Sequence, residues 1–255
     1  MARILVVIND DFAALNGLSV IVDRLDGVKD SYFDILLLSS PSQTEELRTK
    51  RRKEVSAIID ESPLNIRIKP LMVNKASDVV DVTSFYDMIL FDYNAAFSFI
   101  DDKGDTANLL YILKGSRCPV MILPEDYSEL KHLIFTYDGK DTSVFAIKMF
   151  TLLFGDQCKD TEITILSVVQ EDEDELFYYE RHLMDFVRSK YKNVGLKHVY
   201  GEEASSEIYK VAQIMTDSLI VMGAYDRQLE SYKERPSAAR QIILKQNTPL
   251  FIAHH

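Results

Sequence analysis

The sequence predicts an α/β protein made of two doubly wound, five-stranded parallel sheets in tandem. Three observations carry this reading. Four blocks of sequence recur once each, in the same order and at nearly constant spacing. Short runs of Ile, Leu and Val are apolar on consecutive positions, the pattern of strands buried on both faces. Longer stretches with helical spacing separate these runs, and parallel strands require such crossovers.

The repeat is read block by block. Ile4-Leu5-Val6-Val7-Ile8-Asn9 is answered by Leu133-Ile134-Phe135-Thr136-Tyr137-Asp138. Asp34 to Ser39 is answered by Glu162 to Ser167, and Asp87 to Phe91 by Asp217 to Val221. Ile112-Leu113-Lys114 with Cys118-Pro119-Val120-Met121-Ile122 is answered by Ile243-Leu244-Lys245 with Thr248-Pro249-Leu250-Phe251-Ile252. The offsets are 129 (Asn9 to Asp138), 128 (Leu38 to Leu166), 130 (Asp87 to Asp217) and 130 (Pro119 to Pro249). The seam falls at Glu125 to Leu130, so the expected domains are 1–127 and 128–255.

The second half shows the elements in order. A strand ends at Asp138, and Val144, Ile147, Phe150 and Phe154 mark a helix after it. A strand through Ser167 leads to a helix over Asp174 to Tyr191, with Leu176, Tyr179, Leu183, Phe186 and Val187 near helical spacing. Ser205 or Ser206 is expected to cap a third helix that buries Ile208, Val211, Ala212 and Met215. The strand Leu219 to Gly223 precedes a fourth helix from Ser237 to Lys245, and a last strand follows Pro249.

Composition narrows the function. The chain has 255 residues, 47% apolar and 27% charged, so it can build packed cores and is not of disordered type. Its net charge of −11 repels phosphate backbones and anionic lipid heads, which argues against nucleic-acid and membrane partners. Two cysteines, Cys118 and Cys158, make neither a disulfide framework nor a four-cysteine metal site, and they fit a reducing, cytosolic compartment. No apolar run has the length of a membrane span. Met1 to Ile8 meets Asn9, Asp10 and Asp11 at once and reads as a buried strand rather than a signal peptide. His254 and His255 carry no assigned role.

The commonest nucleotide fingerprints are missing. No two of the nine glycines stand two residues apart, so no G-x-G-x-x-G exists. Gly139-Lys140 has no glycine five residues upstream and is followed by Asp141, so there is no P-loop. Glu171 to Glu175 and the basic run Arg48, Lys50, Arg51, Arg52 and Lys53 read first as solvated helix ends or faces. His132, His182 and His198 have no ligand spacing, and no serine, histidine and acid stand out as a triad. The sequence names no catalytic and no metal-binding residue.

Asp138-Gly139 remains, followed by Thr142 and Ser143 at a helix start. Doubly wound sheets bind ligands at the carboxyl ends of their strands, where an acid holds a ribose hydroxyl or an adenine amine. An Asp-Gly pair also makes an ordinary strand-to-helix turn, and from this stretch alone the turn is the stronger reading.

With Ile220-Val221-Met222-Gly223, the proline before each last strand and the repeat itself, the chain resembles the universal stress protein family over both halves. The resemblance implies an adenine nucleotide alpha hydrolase-like fold with strand order 3-2-1-4-5. It also implies a cytoplasmic binding or regulatory protein of the stress response. ATP-binding members carry Gly-x2-Gly-x9-Gly-Ser/Thr after the fourth strand, a loop that wraps phosphates and opens a helix facing them. Here the first glycine is Gly223, Asp226 and Pro236 replace the other two, and Ser237 is retained. Arg227, Lys233 and Arg235 are balanced by Asp226, Glu230 and Glu234. The first half has Tyr93, Ala96, Thr106 and Ala107 at the aligned positions, with Asn9 opposite Asp138.

The resemblance thus implies one weak site for ATP or another adenine nucleotide, in the second half. Asp138 and Gly139 would stand at the ribose or base, Gly223 would permit close approach, and Arg227 and Ser237 would meet the phosphates. The competing readings are a slow ATP hydrolase and an interaction scaffold without a nucleotide site. The two apolar last strands, 120–123 and 250–253, are expected to pair antiparallel and cover one another's edges as an intramolecular pseudo-dimer. A homo-oligomer is the further partner considered, and the protein partner is not named by the sequence.

Overall fold

The computed structural model describes residues 2–9, 31–38, 44–60, 65–69, 76–97, 107–124, 130–169, 179–224, 238–245 and 248–254. The chain divides into two compact units, Met1–Glu125 and Asp126–His255.

Unit one contains β1 (Arg3–Asn9), β2 (Tyr32–Leu38), α1 (Glu45–Asp60), β3 (Asn65–Lys69), α2 (Ala76–Val82), β4 (Met88–Asp92), α3 (Tyr93–Phe97), α4 (Ala107–Gly115) and β5 (Val120–Leu123). Its sheet runs β3-β2-β1-β4-β5, and each neighbouring pair is parallel. Central β1 pairs Val6 with Ile35 on one side and with Leu90 on the other. Ile4, Leu5, Val6, Val7 and Ile8 are all buried without alternation. That is why the strand reads as a continuous apolar run: helices cover both faces of a parallel sheet.

Unit two contains β6 (His132–Thr136), α5 (Asp141–Phe154), β7 (Glu162–Val169), α6 (Glu180–Arg188), β8 (Asn193–Tyr200), α7 (Ala204–Ile214), β9 (Ser218–Gly223), α8 (Ala238–Leu244) and β10 (Leu250–Ala253). Its sheet runs β8-β7-β6-β9-β10, again parallel throughout. Numbered within each unit, both orders are 3-2-1-4-5, as the resemblance implies.

Helix α5 packs Ala146, Ile147, Phe150 and Phe154 inward, one face of a 3.6-residue repeat. These side chains join an aromatic cluster. Phe150 meets Phe135 edge-on at 5.9 Å and Phe251 at 5.2 Å, and Phe135 meets Tyr191 at 5.7 Å. Edge-to-face pairs of this kind add about 0.5–1.5 kcal/mol each beyond the area they bury. Tyr191 donates its hydroxyl to Thr151 Oγ1 at 3.1 Å, so its polar tip is satisfied.

Helix ends depart from the sequence reading. The helix expected through Tyr191 stops at Arg188. Ser189 takes the C-cap and its hydroxyl donates to Phe186 O at 2.6 Å, which lets Tyr191 turn into the core. Neither Ser205 nor Ser206 caps α7. Glu203 holds the N-cap position with no side-chain cap bond, and buried Ser205 is bonded to Glu203 and Gln241 instead. Ile208, Val211 and Ala212 are buried as expected, whereas Met215 is only half-buried. Among the described residues no helix is long and apolar enough to cross a membrane.

Candidate functional site

At the carboxyl end of unit two's central strand, the Tyr137 amide donates to Leu166 O at 2.9 Å and extends the pairing one residue past β6. The chain then turns. The Lys140 amide donates to Asp138 Oδ1 at 3.2 Å, and the Lys140 ammonium stands 3.8 Å from Oδ2. Gly139 has φ 78°, a left-handed conformation that glycine adopts at no steric cost. Both Asp138 and Gly139 are exposed. The pair is therefore a hydrogen-bonded strand-to-helix turn, and its carboxylate still faces water.

Helix α5 begins directly after this turn. Lys140 is its N-cap and supplies no side-chain cap, while Ser143 donates its hydroxyl to Lys140 O at 2.7 Å. The first amides of α5 therefore point out of the strand end uncapped by side chains, at the positive end of the helix dipole.

Gly223, the last residue of β9, abuts this same helix start. A Cβ on Gly223 would lie 2.4 Å from Thr142 C and 2.5 Å from Ser143 N, both backbone atoms. Packing of α5 by itself demands glycine here, whatever approaches from solvent. Beside it, Thr136 donates its hydroxyl to Val221 O at 3.2 Å and ties β6 to β9. Asp138, Gly139 and Gly223 are thus brought to one end of unit two's sheet. Arg227 and Ser237 lie outside the described residues, as do Asp226, Pro236 and the acidic run Glu171 to Glu175.

Unit one differs at the matching place. After β4 the chain enters helix α3 at once, and Asp92 Oδ1 caps it by accepting the amides of Asn94 at 2.7 Å and Ala95 at 3.2 Å. Tyr93, Ala95 and Ala96 are buried. A short packed helix thus starts at Tyr93, the position that the repeat aligns with Gly223. Thr106 and the side chains of Asn9 and Ala107 fall outside the described set.

The sequence reading missed one cluster. Glu180, the first residue of α6, is buried, and its Oε1 lies 2.7 Å from His198 Nε2 on β8 and accepts the Ser167 hydroxyl at 3.5 Å. Burial first, and the Glu180 charge second, raise the Tyr137 phenol above its ordinary value. The register sets Ser167 opposite His198 across β7 and β8, and the docking of α6 brings Glu180 to both. A nucleophile relay needs the imidazole next to the serine, but here the acid stands between them. The cluster anchors α6 to the sheet.

Other reactive groups are quiet. Burial pushes the Cys118 thiol up to about 12 and the Cys158 thiol up to about 11, which leaves both as inert packing groups. Among the described residues no three His, Cys, Asp or Glu side chains could hold a metal ion together. On α1, Lys50, Arg52 and Lys53 are exposed, with Lys50 3.9 Å from Glu54, a solvated face.

No protein-family profile matches the sequence, and no curated protein matches it. Solved structures do. A universal stress protein from Archaeoglobus fulgidus DSM 4304 superposes with a TM-score of 0.70 at 14% identity, covering 100% of this chain and 96% of that one. A protein provisionally assigned to the same family, from Pseudomonas aeruginosa UCBPP-PA14, superposes with a TM-score of 0.66 at 14% identity, covering 99% and 92%. A functionally unknown protein from Pseudomonas aeruginosa PAO1 gives 0.65 at 14% identity, with the same coverage of 99% and 92%. At this identity the likeness speaks for the fold: over its whole length the chain has the α/β fold of universal stress protein structures.

Proposed function

We propose that this chain is a regulatory or binding protein of universal stress type that takes an adenine nucleotide weakly in unit two and none in unit one. The observation that supports this is the contrast at the strand ends. In unit two an exposed Asp138 stands beside helix amides that no side chain caps. In unit one the buried Tyr93 helix fills the matching place. In this reading Asp138 and Gly139 contact the ribose or base, Gly223 leaves room at the helix start, and Arg227 and Ser237 meet the phosphates.

Calorimetry with ATP tests it. The expected result is a single site per chain, weaker than about 1 μM (about −8 kcal/mol), and lost in Asp138→Ala. Two equivalent sites, or sub-micromolar affinity, would overturn the reading. Absence of any binding at millimolar ATP would mark the chain as a scaffold. Turnover of ATP that disappears in Asp138→Ala would mark it as a slow hydrolase, a reaction that needs a metal and a positioned water.

A further inference from the structure

We infer that Asp138–Gly139 is a site of spontaneous covalent self-modification, at which the aspartyl side chain closes on the next amide to a succinimide and reopens as isoaspartate. The Asp138 side chain is 57% exposed, so its carboxyl carbon is open to water and to rearrangement. The bond from the Lys140 amide to Oδ1, at 3.2 Å, folds the carboxyl over the backbone that follows. The residue after it is glycine, so no side chain shields the attacking nitrogen. Among the described residues the Gly139 amide donates to no partner, which leaves that nitrogen uncommitted.

The chemistry balances with water alone. The Gly139 nitrogen attacks Asp138 Cγ, and a new C–N bond forms as the carboxyl loses hydroxyl and the amide loses its proton, together one water. Hydrolysis of the ring at the Cγ carbonyl restores the original chain. Hydrolysis at the α carbonyl leaves the backbone running through the side chain, one methylene longer. Mass is unchanged overall, and the carboxylate moves to the former main-chain carbon. At the strand end of unit two, this would remove the acid that the proposed function assigns to the ribose or base. That consequence rests on the nucleotide reading; the modification itself does not.

The test is to hold the full chain at physiological temperature and neutral pH and digest it with trypsin. Isoaspartate in the peptide 132–140 is then read by electron-transfer fragmentation and by isoaspartyl methyltransferase labelling. The other Asp-Gly pair, Asp26-Gly27, falls in a different tryptic peptide and is scored apart. The expected result is accumulation at a rate within about threefold of the free synthetic peptide, because an exposed turn gains little protection from folding. Asp138→Glu should show none, since its ring would be larger and closes slowly. Asp138→Asn should deamidate rapidly, because ammonia leaves more readily than water. A rate further below the free peptide, or a stable Asp138→Asn chain, would show that the folded turn holds Cγ away from the Gly139 nitrogen and would overturn the inference. Isoaspartate that forms while ATP binding is unchanged would uphold the modification and count against Asp138 as a binding residue.

Discussion

At the amino end of its central strand, each unit sets a basic residue against an acid of the second strand, and the two copies build this pair differently. In unit one, Arg3 donates to Asp34 Oδ2 through Nε at 3.2 Å and Nη2 at 2.8 Å. The Tyr86 hydroxyl donates to the same oxygen at 2.8 Å, and the guanidinium carbon lies 4.8 Å from the Tyr86 ring centroid. The Asp34 side chain is only 1% exposed. In unit two the register differs: His132 lies directly opposite Glu162, whereas Asp34 lies opposite Leu5, and His132 Nε2 stands 2.9 Å from Glu162 Oε2, whose side chain is 68% exposed. Where Tyr86 covers the acid of unit one, the repeat places Thr216, which is too short to reach it. Register and the covering side chain together therefore separate an exposed pair from a buried carboxylate. Coulomb attraction is screened at an exposed pair, whereas a buried carboxylate depends on its donors.

The largest effect should come from breaking the buried copy. Asp34→Ala removes the acceptor that the Tyr86 hydroxyl and the half-exposed Arg3 share, and should destabilise unit one by about 2–3 kcal/mol. Glu162→Ala should change unit two by about 0–1 kcal/mol. Hydrogen exchange read peptide by peptide in urea reports each unit separately, which matters because two units need not unfold together. Equal losses from the two substitutions would break the comparison.

A middle-sized effect separates two glycines. Gly223→Ala drives a Cβ into the backbone of Thr142 and Ser143, at 2.4 and 2.5 Å, and should cost unit two about 1–3 kcal/mol. Gly115→Ala in unit one meets only the Val80 side chain, at 3.0 Å. There the gain in helix propensity, about 1 kcal/mol, should offset the crowding and leave stability near its starting value. Thermal melts of the two variants check the order.

The smallest effect sharpens the comparison at high pH. Burial raises the Tyr191 phenol from 10.0 to about 12 and the Cys158 thiol from 9.0 to about 11, both in unit two, and the Cys118 thiol from 9.0 to about 12 in unit one. The unfolded chain loses these protons first. Their contribution is therefore fully present below about pH 9 and fades as pH rises toward 12. Tyr191→Phe should remove on the order of 2 kcal/mol of this decline from unit two and leave the slope of unit one unaltered. A pH series of urea midpoints, with exchange in each unit as the readout, would expose an error if the slope did not change.

Of the candidate site, the sequence showed the residues but not the reason for them. Asp138-Gly139 is legible because an acid and a glycine at a strand end have few roles, and the structure adds that the carboxylate already serves the Lys140 amide. In the sequence Gly223 reads as room for a phosphate. Only the position of Thr142, more than eighty residues earlier in the chain, shows that the helix requires it. The Glu180, His198 and Ser167 cluster gave no signal, because sheet register and the docking of α6 create it, and neither is local.

The sequence by itself determined the duplication, the parallel sheets and the order of elements. Strands covered on both faces must be apolar at consecutive positions, and that pattern survives divergence of individual side chains. Tertiary structure alone decided where helices end and which polar groups meet. Tyr191 leaves the helical path because the aromatic cluster takes it, and Ser205 turns to Gln241 because α7 and α8 pack together. Likewise Asp34 becomes a buried charge because Tyr86, fifty-two residues away, lies over it. A continuous apolar run is a local property of the chain. A cap, a buried ion pair and a glycine pressed against a distant backbone depend on what arrives from elsewhere, at energies of a few kcal/mol that no local pattern encodes.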